Sequence, residues 1–153
     1  MPGSTSRRAV AMTDDEVARF LDLRLTMSLA TNGRDGWPHV VAMWYGFIDG
    51  AVGFLTFRNA QKYRNIQRDP RVSCLVEDGD TYADLRGVLL RGRAVVVDDD
   101  EQRMSWATSV TERYQGPLDR AGIESVRASI AKRVVLRVDV DNVASWDHRK
   151  LSS

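Results

Sequence analysis

The sequence predicts a mainly β domain, a small antiparallel barrel with short helices, and three observations lead to this fold class. A chain of 153 residues, 43% hydrophobic and 28% charged, is typical of one domain with its own core. Apolar and polar residues alternate in several separate segments, as they do in half-buried strands. Asn-Gly and Asp-Gly turns join consecutive segments, and turns this short permit only antiparallel neighbours.

A capped helix and three strands are predicted in the first half of the domain. Thr13 and Glu16 have the spacing of a capping box, which predicts that a short helix begins here. The turn residues between the following strands are Asn32-Gly33 through Gly36 and then Asp49-Gly50. The alternating segments between them predict strands over residues 25–30, 37–48 and 51–57.

Strands and helices are interspersed in the second half. A helical segment over residues 60–68 ends at Asp69-Pro70, because proline disfavours the helical conformation in the residue before it. Gly87 and Gly92 lie inside a long strand, where glycines mark the bends or bulges of a curling sheet. The four carboxylates of residues 98–101 favour the start of another helix. Further strands are predicted over residues 71–77, 84–97 and 133–140, and a last helix over 119–131.

Composition excludes several function classes. The single cysteine, Cys74, rules out an internal disulfide and a four-thiolate zinc site, and it indicates a reducing compartment such as the cytoplasm. A formal net charge of +1 gives no reason to expect nucleic acid or an anionic membrane as a partner. No apolar run reaches the roughly 18 residues of a membrane span. We predict a flexible leader over residues 1–12 and a single domain over residues 13–151.

The informative segment for function covers residues 56–66, since motifs for dinucleotides, P-loop phosphates and common zinc sites are absent. Here a strand ends, a polar corner follows, and a helix begins with Arg58, Lys62 and Arg64. Ammonium and guanidinium groups beside the free amides of a helix N-terminus suit a phosphate. A basic helix face in solvent is the alternative interpretation, and the spacing alone leaves both open. His39 and His148 are far apart, with no obvious nucleophile between them.

Four segments of the chain resemble the pyridoxamine-5′-phosphate-oxidase-like split-barrel superfamily. Residues 61–73 resemble its K-x-R-N-L-x-x-D-P-R-V signature. Residues 36–45 resemble its G-x-P-x-x-x-x-x-W-Y strand, and residues 82–88 its Y-x-x-L-R-G-V strand. Residues 145–151, S-W-D-H-R-K-L, are similar to the C-terminus of the flavin/deazaflavin branch, whose members are often labelled as users of coenzyme F420. The resemblance covers residues 13–151.

The resemblance implies a homodimer of six-stranded split barrels with cofactor grooves at the subunit interface. Lys62 is the implied phosphate ligand, supported by Arg58, Gln61 and Asn65. Many members carry a basic residue where this chain has Ala60, so either Arg58 substitutes for it or the phosphate is held more weakly. The remaining implied cofactor contacts are Thr56 and Phe57 along the ring and ribityl chain, Met43 and Trp44 beside the ring, and Tyr82, Arg86, Trp146 and Arg149 from the facing subunit. No metal ligand is implied.

The implied activity is hydride transfer from reduced coenzyme F420 to an unsaturated small molecule. The cofactor carries this chemistry, so the absence of an evident acid–base pair agrees with it, and Tyr45 or Tyr82 is a candidate proton source. FMN is the alternative cofactor, because it places a phosphate against the same corner. A non-catalytic carrier of a flavin or haem is the alternative function, since a scaffold does not fix an activity.

Overall fold

The computed structural model describes residues 3–23 and 26–152. Leu25, expected in the first strand, lies outside the described residues, as do Met1 and Pro2 of the expected leader. The helices are α1 Gly3–Val10, α2 Asp14–Leu21, α3 Gln61–Arg68, α4 Asp100–Gln115 and α5 Arg120–Ile130. The strands are β1 Met27–Asn32, β2 Pro38–Met43, β3 Gly46–Ile48, β4 Ala51–Phe57, β5 Arg71–Asp78, β6 Arg86–Val96 and β7 Arg133–Asp147.

Seven strands within the described residues form one antiparallel sheet in the order β2-β1-β5-β6-β7-β4-β3. The predicted strand over residues 37–48 is broken at Trp44 and Tyr45, so its two halves become β2 and β3 at opposite edges of the sheet. Met43 and Gly46 are only three residues apart, a span of about 10 Å at most. The two edges therefore meet, and the sheet curls into the predicted split barrel.

A bulge and an extended last strand complete the barrel. The register between β6 and β7 shifts at Arg91 and Gly92, which confirms the irregularity expected at a strand glycine. Strand β7 continues seven residues beyond the predicted end at Val140. Residues 139–144 are all exposed, so no burial alternation signals this extension, and pairing with β6 supports it instead.

The described part of the chain before the barrel contains two helices, of which one was predicted. Helix α2 begins as the capping box predicts, with the Thr13 hydroxyl accepting a hydrogen bond from the Glu16 amide at 3.2 Å. Helix α1 forms where no regular element was expected. Its last residue, Val10, is buried, and the following Met12 amide donates to the Ser145 hydroxyl at 3.0 Å. Tertiary contacts of this kind support helices too short to be stable alone.

The core has two layers. One fills the inside of the barrel and includes Phe20, Tyr45, Phe54 and Cys74. The other lies between the outer face of the sheet and helices α4 and α5, and it includes Trp106, Val126, Ile130 and Val135. None of the helices in the described ranges is long and apolar enough to cross a membrane.

Candidate functional site

The break between β2 and β3 is held by the last turn of α4. The Tyr45 amide donates to the Tyr114 hydroxyl at 3.1 Å, and Arg113 Nε donates to the Tyr45 carbonyl at 3.0 Å. The Trp44 ring stacks on the Tyr114 ring, with centroids 4.4 Å apart and planes 3° from parallel. Main-chain bonds and ring stacking together fix Trp44, one of the predicted ring contacts.

A groove beside Trp44 lies between the outer face of the sheet and helices α4 and α5. Its volume is about 390 Å³. We call it the α4–α5 groove. Met43 and Trp44, the implied ring contacts, line it at the end of β2, and Leu55 lines it from β4. The other lining residues are Ala42, Ala107, Val110, Thr111, Gln115, Leu118, Gly122, Ser125, Val126, Ser129 and Arg133. Apolar side chains of these walls are mixed with the polar groups of Thr111, Gln115, Ser125 and Ser129, and Arg133 supplies a positive charge.

A cationic corner, formed by Phe57, Lys62 and Arg133, joins the end of β4 to the first turn of α3 and the start of β7. Ala60 is the N-cap residue of α3, and no side chain caps this helix end. Lys62 follows in the first turn and is half-buried. Burial lowers the pKa of Lys62 below its ordinary value of 10.5, and the charge of Arg133 lowers it further. The corner is thus electropositive before any ligand is considered.

Sequence reasoning missed Arg133. It faces Phe57 across the β4–β7 ladder, and its guanidinium carbon lies 4.3 Å from the centre of the Phe57 ring. Its Nε is buried and has no hydrogen-bond partner within the described part of the chain. An orphaned guanidinium nitrogen beside a half-buried lysine fits an anionic group such as a phosphate. The sequence offered no signal, because an arginine at the start of a strand usually faces solvent.

Two predicted ligands, Gln61 and Asn65, are hydrogen-bonded to each other and form a structural link. Asn65 is fully buried, and its Nδ2 donates to the Thr31 hydroxyl at 3.0 Å. Its Oδ1 accepts a hydrogen bond from Gln61 Nε2 at 2.8 Å. This chain of bonds anchors α3 to β1 and so holds Lys62 in place. A direct contact of either amide with a phosphate stays a prediction.

Thr56 and Arg58 flank Phe57 with different surroundings. Thr56 is buried, and strand alternation places it with Phe54 on the inner face of the barrel, away from Leu55 and the groove. Its hydroxyl has no hydrogen-bond partner among the described residues. Arg58 is exposed, and no ion pair within the described ranges involves it.

The four residues expected from a facing subunit lie at the other end of β7. Arg86 Nη2 binds Asp78 at 2.7 Å, and Arg149 Nη2 binds Asp147 at 2.7 Å. The Arg149 hydrogen bonds hold the pKa of Asp147 below its usual range. The other two members pack against near neighbours: the Tyr82 ring against the His148 ring, and Trp146 against Gly87. Within one chain these four are not brought together with Lys62, and their contribution to a second protomer stays a prediction.

Neither histidine lines the groove. His39 lies in a separate cavity of about 650 Å³ with Gln61 and Asn65 on its wall, and its Nδ1 is a buried atom without a partner in the described structure. His148 Nδ1 lies 2.7 Å from the Tyr82 carbonyl. The Tyr45 hydroxyl donates to the Leu21 carbonyl at 2.7 Å, so it does not face the groove either.

Solved structures with the same fold include proteins of several functions. A conserved hypothetical protein from Mycobacterium tuberculosis is 44% identical, with a TM-score of 0.91 over 96% of this chain and 92% of its own. An F420 reductase is 31% identical, with a TM-score of 0.63 over 82% of this chain and 94% of its own. The haem storage protein HutZ from Vibrio cholerae is 20% identical, with a TM-score of 0.68 over 86% of this chain and 94% of its own. That last likeness shows the fold alone. Comparison with curated protein sequences gives no match.

Comparison with protein families identifies the family of this chain. Residues 13–147 match the pyridoxamine 5′-phosphate oxidase family, and this range contains both the cationic corner and the α4–α5 groove. The match agrees with the fold, with the segments around Lys62 and Trp44, and with the 44% identity to a solved relative. The chain therefore belongs to the pyridoxamine 5′-phosphate oxidase family, in the split-barrel superfamily that its sequence resembles.

Proposed function

We propose that the protein is an oxidoreductase that binds coenzyme F420 and uses its reduced form to transfer a hydride to an unsaturated small molecule. The observation that carries this proposal is the cationic corner, which shares Arg133 with the α4–α5 groove. Lys62 and Arg133 have no carboxylate partner within the ranges described, although nine ion pairs occur among those residues. The 31% identity to an F420 reductase supports the choice of the deazaflavin.

The residues of the site then have separate tasks. Lys62 binds the phosphate of the coenzyme through a charge-assisted hydrogen bond. Leu55, Leu118 and Val126 form apolar walls that exclude water from the ring, and the Trp44 indole borders the same space. When bound, a reduced deazaflavin supplies a hydride from its central ring, whereas the protein supplies orientation and a dry surface.

Proton delivery in this proposal comes from solvent. Burial raises the pKa of Tyr45 to about 12, and its hydroxyl donates a hydrogen bond to the Leu21 carbonyl. Tyr82 lies beyond the far end of β7, so it serves a groove only if a second protomer supplies it. The described groove residues include no carboxylate or histidine, which favours a reaction without an obligatory general base.

We propose that two copies of the chain form the working unit. Arg133 and Asp147 are the first and last residues of β7, so the two predicted ligand sets are separated by up to roughly 45 Å along one strand. A second copy in antiparallel orientation would bring the Arg86 and Arg149 side of one protomer to the Lys62 side of the other. Sedimentation equilibrium should give a dimer mass; a monomer at micromolar concentration would contradict this arrangement.

Cofactor titration tests the proposal directly. Fluorescence titration with F420 and with FMN should show binding to the wild-type protein, with the greater affinity for F420. Lys62→Ala should weaken binding by about 1.5–3 kcal/mol, the range for a hydrogen bond to a charged group, or roughly 10- to 150-fold. Lys132→Ala is the matched control, because Lys132 is an exposed lysine that does not line the groove. Unchanged affinity of Lys62→Ala would remove this residue from the site.

Turnover separates an enzyme from a carrier. Stopped-flow oxidation of bound reduced F420 by a panel of enones should be faster than the reaction in free solution. Tight binding with uncatalysed rates across the panel would favour a carrier. A Soret band on reconstitution would favour haem, although His39 and His148 both lie away from the groove.

A further inference from the structure

We propose that Arg133 is the second anion-binding cation of the corner and that it fills the role left open by Ala60. This inference deepens the proposed function and rests on it for the nature of the ligand. Arg133 lines the α4–α5 groove and has an orphaned Nε, and its charge acts on Lys62. A phosphate that bridges Lys62 and Arg133 would therefore lie where the corner opens into the groove.

Phe57 holds the guanidinium in place. Phe57 and Arg133 are directly paired in the β4–β7 ladder, and the guanidinium carbon lies 4.3 Å from the ring centre. A cation over an aromatic face is stabilised by about 0.5–1 kcal/mol at exposed sites, and by more when water is excluded. Since Phe57 itself is about half exposed, its main contribution here is to orient the planar donor group. An oriented guanidinium loses less freedom when it binds a phosphate.

Lys62 and Arg133 are two positive charges without a carboxylate partner in the described ranges. Burial lowers the pKa of Lys62 and the charge of Arg133 lowers it further, and no acidic residue in the described ranges lies in an ion pair with either. A dianion between them would convert the repulsion into two attractive contacts. Inorganic phosphate alone should therefore stabilise the folded protein, without any ring system attached.

Arg58, the residue that the sequence suggested for this role, has a weaker case. It is exposed in the turn after β4, and no ring or carboxylate in the described structure fixes its guanidinium. An exposed arginine loses side-chain entropy when it binds a ligand, whereas Arg133 is half-buried before binding. The structure thus separates two candidates that the sequence could not.

Thermal denaturation in inorganic phosphate is the first test. Phosphate at 50 mM should raise the Tm of the wild-type protein by several degrees over chloride of equal ionic strength. Arg133→Gln should lose most of this increase, and Arg133→Lys should keep part of it. Arg91→Gln is the control, because Arg91 is an exposed strand arginine that does not line the groove. If Arg58→Gln removes the effect and Arg133→Gln keeps it, the assignment to Arg133 is wrong.

A ligand pair separates phosphate binding from damage to the fold. FMN and riboflavin differ only in the phosphate, so Arg133→Gln should weaken FMN binding at least tenfold while it changes riboflavin binding less than twofold. An equal loss for both ligands would mean that Arg133 merely supports the groove, and the proposal would fail.

These outcomes also distinguish the two proposals. If F420 binds and Lys62→Ala weakens it while Arg133→Gln has no effect, the inference about Arg133 fails and the proposed function stands. If no flavin or deazaflavin binds but phosphate stabilises the protein through both cations, the proposed function fails and Arg133 remains an anion ligand.

Discussion

Replacing Arg113 by alanine is expected to lower the free energy of unfolding by about 3–5 kcal/mol, an effect at the upper end for one substitution. Arg113 projects from the last turn of α4, and its side chain is only 12% exposed. The guanidinium donates to the carbonyls of Tyr45, Leu21 and Leu23 at 3.0, 3.2 and 3.0 Å. It therefore joins α4 to the break between β2 and β3 and to the chain after α2.

The magnitude follows from these contacts. Two of these carbonyls, those of Tyr45 and Leu21, accept their hydrogen bonds in part-buried surroundings, and a hydrogen bond from a charged donor contributes about 1.5–3 kcal/mol. The Leu21 carbonyl keeps a second donor, the Tyr45 hydroxyl, which reduces the total. The pair with Asp22, whose side chain is 80% exposed, adds at most about 1 kcal/mol. Together these contributions give about 3–5 kcal/mol.

Urea denaturation followed by far-ultraviolet circular dichroism measures this loss, provided that the m-value stays constant. Arg113→Lys keeps the charge but lacks the planar fork, so it should recover less than half of the loss. We call these hydrogen bonds of Arg113 the clamp. Because the clamp also fixes Tyr45, the residue after Trp44, affinity for F420 should fall in the same variants. A loss below about 1 kcal/mol for Arg113→Ala would refute the assignment of the clamp.

Three further predictions concern buried groups. Burial and then Arg133 lower the pKa of Lys62, so the charged form is disfavoured in the folded protein at every pH below that lowered pKa; the disadvantage fades as the pH rises to the ordinary 10.5. Lys62→Met should therefore raise the Tm of the ligand-free protein at pH 7 and lose this gain above pH 10.5, and a lower Tm at pH 7 would contradict it. Burial raises the pKa of the Cys74 thiol to about 12, so a thiol reagent at pH 8 should label it only after unfolding in urea, and rapid labelling of the folded protein would be a contrary result. A Cβ added at Gly53 would lie 2.4 Å from Cζ3 of Trp106, so Gly53→Ala should cost about 1–3 kcal/mol in urea denaturation, and an unchanged midpoint would show that the ring has room to move.

The antiparallel fold was predictable because local chemistry determines it. The capping hydroxyl of Thr13, the Asp49-Gly50 turn and the glycine bulge at Gly92 each impose a local backbone geometry, and the structure confirms all three. The identity of the last helix and of the strand between Ala51 and Phe57 is likewise confirmed, to within a residue or two at each end.

Other features depend on contacts that are distant in sequence. The alternation from residue 37 to residue 48 continues across Trp44, so nothing in the sequence marks the break that Arg113 holds from α4. Asn65 has the pattern of a polar helix surface, yet it is fully buried because Thr31 on β1 and Gln61 satisfy its amide. Arg133 was not predicted, because only its pairing with Phe57 in the β4–β7 ladder places it in the corner.

The strand order has a consequence for how the nascent chain acquires its structure. Both outer hairpins, β1–β2 and β3–β4, are made from the first 57 residues, whereas the strands that join them come later. Strand β4 meets its inner neighbour β7 only after roughly 80 more residues, which at about 5–20 residues per second takes about 4–16 s. During that interval the ribosome-bound chain exposes two hairpins without their partners, so chaperone binding or premature association can compete with folding of this barrel.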